Sequence, residues 1–135
     1  MKKIDLLYEQ ESYKIRGAKF TVYKHLGFSH KEIVYQKALE LAFIKQGLTV
    51  ESEKRLPVLF ENREVGVYTP DFLINDKIVI EIKSKSVLTR YDIEQFWHYL
   101  TATNYKLGFL INFGRPGGVQ IIRRVYDKAR KKKLE

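Results

Sequence analysis

Apolar positions along the chain recur with two different periods. Between residues 11 and 26, Ile15, Ala18, Val22 and Leu26 fall three or four apart, the spacing of a helix with one buried stripe. Gly17 weakens that helix slightly, and Gly27 suits the left-handed position that closes it. Ser29 and Glu32 have capping-box spacing, so a second helix is expected over 30–46, ended by Gly47. A strand follows over 48–60, broken at Pro57. "ENREVG" turns into another strand over 65–73, and a third runs over 77–84. Thr89 and Asp92 repeat the capping-box spacing and open a helix through about residue 103. "KLGFLINFG", 106–114, is almost wholly apolar, as a strand buried on both faces should be. "RPGG" is a turn, "VQIIRRVY" a last strand, and the tail a frayed helix. The order ααβββαβ(β)α describes an α/β fold: a three-strand meander, a crossover helix and a further strand, giving a mixed central sheet flanked by helices.

One strand breaks the apolar pattern. In "TPDFLINDKIVIEIKS", residues 69–84, side chains alternate between faces. Ile78, Ile80 and Ile82 point one way; Val79, Glu81 and Lys83 point the other. The face of Asp71 depends on the turn. A two-residue loop at Asn75-Asp76 pairs Asp71 with Ile80, on the wrong face, whereas a three-residue loop over 75–77 pairs it with Glu81. We expect the three-residue register, or a bulge with the same effect. It sets two carboxylates together, which destabilises a bare hairpin but suits a divalent cation. The plainer reading is a salt bridge on an exposed face, with Lys83 between Glu81 and Asp71. Against it stands the longer pattern: Pro70-Asp71, nine intervening residues, then Glu81-Ile82-Lys83 on the adjacent strand, followed by a helix.

Composition narrows the chemistry. The 135 residues suit one domain, with a basic C-terminal tail from about residue 124. The longest apolar runs fall far short of a membrane span and the N-terminus shows no signal-peptide pattern, so a cytoplasmic protein without membrane association is expected. Cysteine is absent, which excludes disulfides, thiolate zinc sites and cysteine-held iron–sulfur clusters. With three histidines (His25, His30, His98) and many carboxylates, a hard ion such as Mg²⁺ or Mn²⁺ is the expected cofactor. Residues 121–135 carry seven Lys or Arg against two acids, a net +5, which leaves +4 of the total +9 for the other 120 residues. Such a balance fits either a nucleic-acid partner or a solubilising tail.

At Pro70-Asp71 and Glu81-Ile82-Lys83 the chain resembles the PD-(D/E)XK nuclease superfamily, whose core is restriction-endonuclease-like. The resemblance implies that Asp71 and Glu81 hold one or two divalent ions, that the Ile82 carbonyl adds a ligand, and that Lys83 orients the attacking water. It implies that Glu32, on an early helix, completes the metal site. Gln95 and Tyr99, within "EQFWHYL", match the Gln-x3-Tyr of the RecB-type branch, and residues four apart share a helix face. More narrowly, "YKIRGAKFTVYKHLGFSHKEIVYQKALE", "PDFLINDKIVIEIKS", "QFWHYL" and "GFLINFG" resemble the GxxExxY family over about residues 8–126. Glu32 and Tyr35 fit its Glu and Tyr. Ser29 stands where its first Gly is expected, which bears on the shape of the turn before Glu32.

Each site residue has a second reading. Glu32 could serve only the Ser29 capping box, or lead a solvated stripe with Gln36 and Glu40. Gln95 and Tyr99 could be ordinary surface and core-edge residues, Tyr35 and Trp97 core, and His98 a surface residue or a phosphate contact. Lys85 and Arg90 could meet nucleic-acid phosphates or simply mark the exit of a strand. Arg123 and Arg124 straddle the two faces of the last strand, so at most one faces a cleft. The expected function is a metal-dependent deoxyribonuclease with little base-sequence specificity, acting on DNA and plausibly as a homodimer. The alternatives are a non-catalytic nucleic-acid-binding or partner-binding module of the same fold, and a dimeric enzyme of the Holliday-junction-resolvase type.

Overall fold

The computed structural model describes residues 7–126. Most of the basic tail, with the frayed helix expected there, lies outside the described residues. α1 (Glu9–Leu26) buries Ile15, Ala18 and Val22, the stripe marked by sequence spacing. It ends at Gly27, where φ is 68°. α2 (Glu32–Lys45) buries Tyr35, Leu39 and Phe43. The expected Ser29 capping box is not formed. Lys31 is the N-cap and carries no side-chain cap, while Ser29 takes φ 77° and its hydroxyl donates to the Phe28 carbonyl at 2.6 Å. The turn between the helices needs a left-handed residue there, and that conformation withdraws the serine from the extended geometry of a cap. No described helix is long and apolar enough to cross a membrane.

The expected meander is interrupted. The stretch 48–60 divides into β1 (Val50–Ser52) and β2 (Leu56–Phe60), and the stretch 65–73 into β3 (Arg63–Tyr68) and β4 (Phe72–Ile74). β2 and β3 form a separate two-stranded hairpin. The breaks fall at Glu53, which takes φ 53°, and at Thr69–Asp71 around Pro70, not at Pro57. Pro57 is tolerated inside β2 because a two-stranded ribbon has a free edge for its missing N–H. Glu53 N donates to the Asp71 carbonyl at 3.2 Å and closes the base of the excursion.

The main sheet has the order β1-β4-β5-β6-β7, completed by β5 (Ile78–Lys83), β6 (Leu107–Asn112) and β7 (Gln120–Val125). α3 (Arg90–Ala102) crosses over between β5 and β6, which pair in parallel, while the other neighbours are antiparallel. Every residue of β6 is buried, as its unbroken apolar run implies. Ile78, Ile80 and Ile82 pack with the α1–α2 layer; Val79, Leu73 and Leu110 pack with Phe96 and Leu100 of α3 and with Tyr68. Thr89 caps α3 with the reciprocal bonds to Asp92 that the sequence spacing predicts. Glu81 and Lys83 therefore lie on the face shared with α3 and the hairpin.

Candidate active site

The loop between β4 and β5 fixes the site. Ile74 pairs with Ile78, leaving the three-residue loop Asn75–Lys77, in which Asn75 and Asp76 take φ 52° and 55°. These residue types tolerate left-handed backbone. Phe72 opposite Ile80 continues the ladder, so the next position outward sets Asp71 opposite Glu81, as the three-residue register requires. The two acids are interlocked. Glu81 Oε1 accepts the Asp71 N–H at 3.0 Å, and Asp71 Oδ2 accepts the Ile82 N–H at 2.7 Å. Gln36 Nε2 reaches Asp71 Oδ1 at 3.4 Å from α2.

Burial dominates the electrostatics. Desolvation, with the Asp71 charge next, pushes the Glu81 carboxyl up to about 8. Desolvation, opposed by the Ile82 hydrogen bond and reinforced by the charge of Glu32, raises Asp71 to about 6. Lys83 draws both down without removing the penalty. Among the described residues Lys83 forms no ion pair with either carboxylate, so the salt-bridge reading of E-x-K is not realised. What stands here is a half-buried carboxylate pair without an ion-pair partner, and the Lys83 ammonium on the same face offsets only part of its desolvation.

Pro70 bears on the backbone oxygen of Ile82 by lacking an N–H. Lys83 O accepts from Phe113 N on the β6 side at 2.9 Å, so alternation aims the Ile82 N–H and C=O toward β4. The Ile82 N–H is taken by Asp71. In this register the ladder donor to the Ile82 carbonyl would be residue 70, and proline has no N–H. The ladder ends at Phe72–Ile80, and the Pro-Asp dipeptide beyond it offers the Ile82 carbonyl no N–H from residue 70. Two neighbouring carboxylates, joined by that carbonyl, would offer the all-oxygen ligands that Mg²⁺ or Mn²⁺ prefers.

Glu32 does not close that set. It is exposed at the start of α2, and its charge reaches Asp71, but among the described residues no three His, Asp or Glu side chains gather closely enough to hold an ion. The side chain from α2 that touches Asp71 is Gln36, one turn further on. The loss of the Ser29 cap explains the shift: α2 begins at Glu32 itself, whose side chain is left at the helix mouth.

Three contributors were not singled out from sequence. Helical spacing places Gln36 only in a solvated stripe. Tyr68, 5% exposed at the end of β3, stacks on Tyr99 at 4.3 Å and 7°. Its hydroxyl faces Glu81, whose charge adds to burial in raising its pKa, yet no partner meets it at good hydrogen-bond geometry. Only the hairpin excursion brings it there. Asn112, fully buried, receives Lys85 N at 2.9 Å and Gly114 N at 3.3 Å on Oδ1 and donates to Lys85 O at 2.8 Å. It fixes the chain leaving Lys83, and a lone amide in an apolar run was the available signal. Gly114 lets that chain pass, because a Cβ there would lie 2.4 Å from Lys85 N.

The remaining sequence candidates are dispersed. Tyr99 lines the site through Tyr68. Gln95 Nε2 lies 3.4 Å from the Tyr91 hydroxyl, on the same side of α3 as Tyr99. Tyr35 is core: it stacks on Phe113 and donates to Gly27 O at 2.6 Å. Lys85 is committed to Asp92 at 2.7 Å, and Arg90 to Glu94 at 2.8 Å. Arg123 pairs with Phe109 and lies with Arg16 against α1, on the sheet face opposite Glu81. Arg124 opposes Gly108, on the α3 face, and donates to the Arg123 carbonyl at 3.1 Å. The split of the two arginines between faces is as expected.

No curated protein matches the chain. Among solved structures it is similar to a crystal structure of an alkaline exonuclease from Laribacter hongkongensis, at 15% identity over 97% of this chain and 76% of that one, with a TM-score of 0.44. Residues 9–125, which include α1, the Asp71–Glu81–Lys83 site and all of β7, match the PD-(D/E)XK nuclease superfamily, and the chain belongs to that superfamily.

Proposed function

We propose that the protein hydrolyses phosphodiester bonds in DNA in a reaction that depends on Mg²⁺ or Mn²⁺. The observation that carries this reading is the convergence of Asp71 and Glu81, buried enough to hold both acids above their ordinary pKa values. Asp71, Glu81 and the Ile82 carbonyl would hold the cation, with Glu32 the next carboxylate at hand. A cation bound there would polarise the scissile phosphate and lower the pKa of a water. Lys83, uncommitted on the same face, positions the attacking water and offsets charge that develops on the phosphate. Asp71 is oriented by the Ile82 amide and Gln36, and Glu81 is oriented by the Asp71 amide. Gln95 and Tyr99 line the approach. The net charge of +9 supplies backbone affinity that weakens with salt, without a base-reading element. We also place the chain, within its superfamily, beside the GxxExxY proteins. The left-handed φ of 77° at Ser29 supports this, since glycine is the residue that position favours.

A second reading, a non-catalytic binding module, draws on the position of Glu32 outside the carboxylate pair. One experiment separates them: purified protein with plasmid and with branched DNA, in Mg²⁺ or Mn²⁺, beside Asp71→Asn and Lys83→Ala. Cleavage lost in both variants supports the enzyme. Binding without cleavage by the wild type sinks it, and cleavage that survives in the variants removes this site.

A further inference from the structure

Beside the carboxylates, α3 presents a pocket of about 290 Å³ lined by Tyr91, Glu94, Gln95, His98 and Tyr99. Tyr99 is shared: its ring stacks on Tyr68 at 4.3 Å, and Tyr68 faces Glu81. The pocket is therefore one aromatic ring removed from the acids. Tyr91 stands 69% exposed at the other side. The polar groups are weakly engaged, since Gln95 Nε2 meets the Tyr91 hydroxyl only at 3.4 Å, long enough to exchange for a ligand. The one acid, Glu94, is paired with Arg90 at 2.8 Å, which offsets part of its repulsion toward an anionic strand.

Ring faces, an amide with both donor and acceptor, and an imidazole suit a flat heterocycle bearing hydrogen-bonding edges. In a duplex both faces of each base are covered by its neighbours, and such a pocket has nothing to stack on. An unpaired base offers its face freely. We propose that this pocket stacks an unpaired nucleobase adjacent to the phosphodiester placed at Asp71 and Glu81, so that the substrate class is single-stranded nucleic acid or the frayed end of a duplex. The inference rests on the nuclease reading above, and it adds the substrate class. The base-facing residues are Tyr91, Gln95, His98 and Tyr99.

The test uses metal-free protein with 5-iodouracil-substituted oligonucleotides, single-stranded and fully paired, in DNA and RNA forms. Affinity is followed by fluorescence anisotropy, and photocrosslinks are mapped by mass spectrometry. The single strand should bind about tenfold tighter than the duplex, the lower part of the range for one stacked base, and crosslink to Tyr91, His98 or Tyr99. Tyr91→Ala and His98→Ala should each erode the single-strand preference several-fold, and Tyr91→Phe should retain it. Equal affinity for both forms, or crosslinks mapping away from α3, overturns the pocket. The DNA and RNA arms identify which sugar backbone accompanies the base. Protein that crosslinks as expected but cuts nothing in Mn²⁺ refutes the nuclease and leaves the pocket standing. Protein that cuts in Mn²⁺ without crosslinking at α3 refutes the pocket alone.

Discussion

Replacing Glu81 by glutamine removes one buried charge while keeping an oxygen to accept the Asp71 N–H. Glu81 ionises near 8 in the folded protein against an ordinary 4.5, and Asp71 near 6 against 3.8. Both pKa values are raised, so the folded state holds these protons more tightly than the unfolded chain. Stability of the metal-free protein must then fall as pH rises through 3.8 to 6 for Asp71 and through 4.5 to 8 for Glu81, and level off above. At about 1.36 kcal/mol per pH step, ionising Glu81 costs up to roughly 5 kcal/mol. Allowing for water that relaxes around the charge, Glu81→Gln should stabilise the protein by about 2–4 kcal/mol at pH 8 in EDTA and by almost nothing at about pH 4.5. Adding Mn²⁺ should close that gap, because the ion binds the folded wild type: about 2.7 kcal/mol at 100 times Kd. Urea unfolding from pH 4.5 to 9, with EDTA and with Mn²⁺, measures all of this. A wild type that gains stability between pH 5 and 8 in EDTA, or a variant no more stable at pH 8, refutes the account of the site as a carboxylate pair whose desolvation Lys83 offsets only in part.

Tyr68→Phe keeps the stack on Tyr99 and removes only the hydroxyl facing Glu81. Calorimetric Mn²⁺ titration should show affinity lower by about tenfold, the low end for groups that orient metal ligands, with the melting temperature unchanged or raised. Unchanged Mn²⁺ affinity would show that the hydroxyl plays no part in orienting Glu81. Asn112→Ala takes the partner from the part-buried Lys85 and Gly114 amides and the Lys85 carbonyl. A loss of about 2–4 kcal/mol in chemical denaturation is expected, and a loss below 1 kcal/mol would mean that water replaces the amide. Ser29→Gly relieves a left-handed serine and should add about 0.5–1 kcal/mol, net of the glycine's greater freedom when unfolded. A destabilised variant would show that the Ser29 hydroxyl bond to Phe28 O outweighs the strain.

Much of the architecture is written in local pattern. Periodicity places α1, α2 and α3, and the apolar run of β6 marks a strand covered on both faces. Alternation and a three-residue loop with Asn75 and Asp76 suffice to bring Asp71 to Glu81, because a hairpin register is a local property of its turn. Glu81 and Lys83 are same-face neighbours for an equally local reason.

What the sequence pattern could not decide depends on residues far apart in the chain. Pro70 and the left-handed Glu53 lift β2 and β3 out of the sheet, and only that excursion lays Tyr68 across Glu81 and against Tyr99. Capping-box spacing marked Thr89–Asp92 and Ser29–Glu32 alike, but the second fails because the α1–α2 turn requires a left-handed residue at 29. The position of Glu32, the contact of Gln36 with Asp71 and the clamp of Asn112 on Lys85 follow from how helices and strand ends meet. Spacing along the chain fixes which side of its own element a residue occupies; packing between elements decides which distant group it faces, and here it also decides how far the two carboxylates are desolvated.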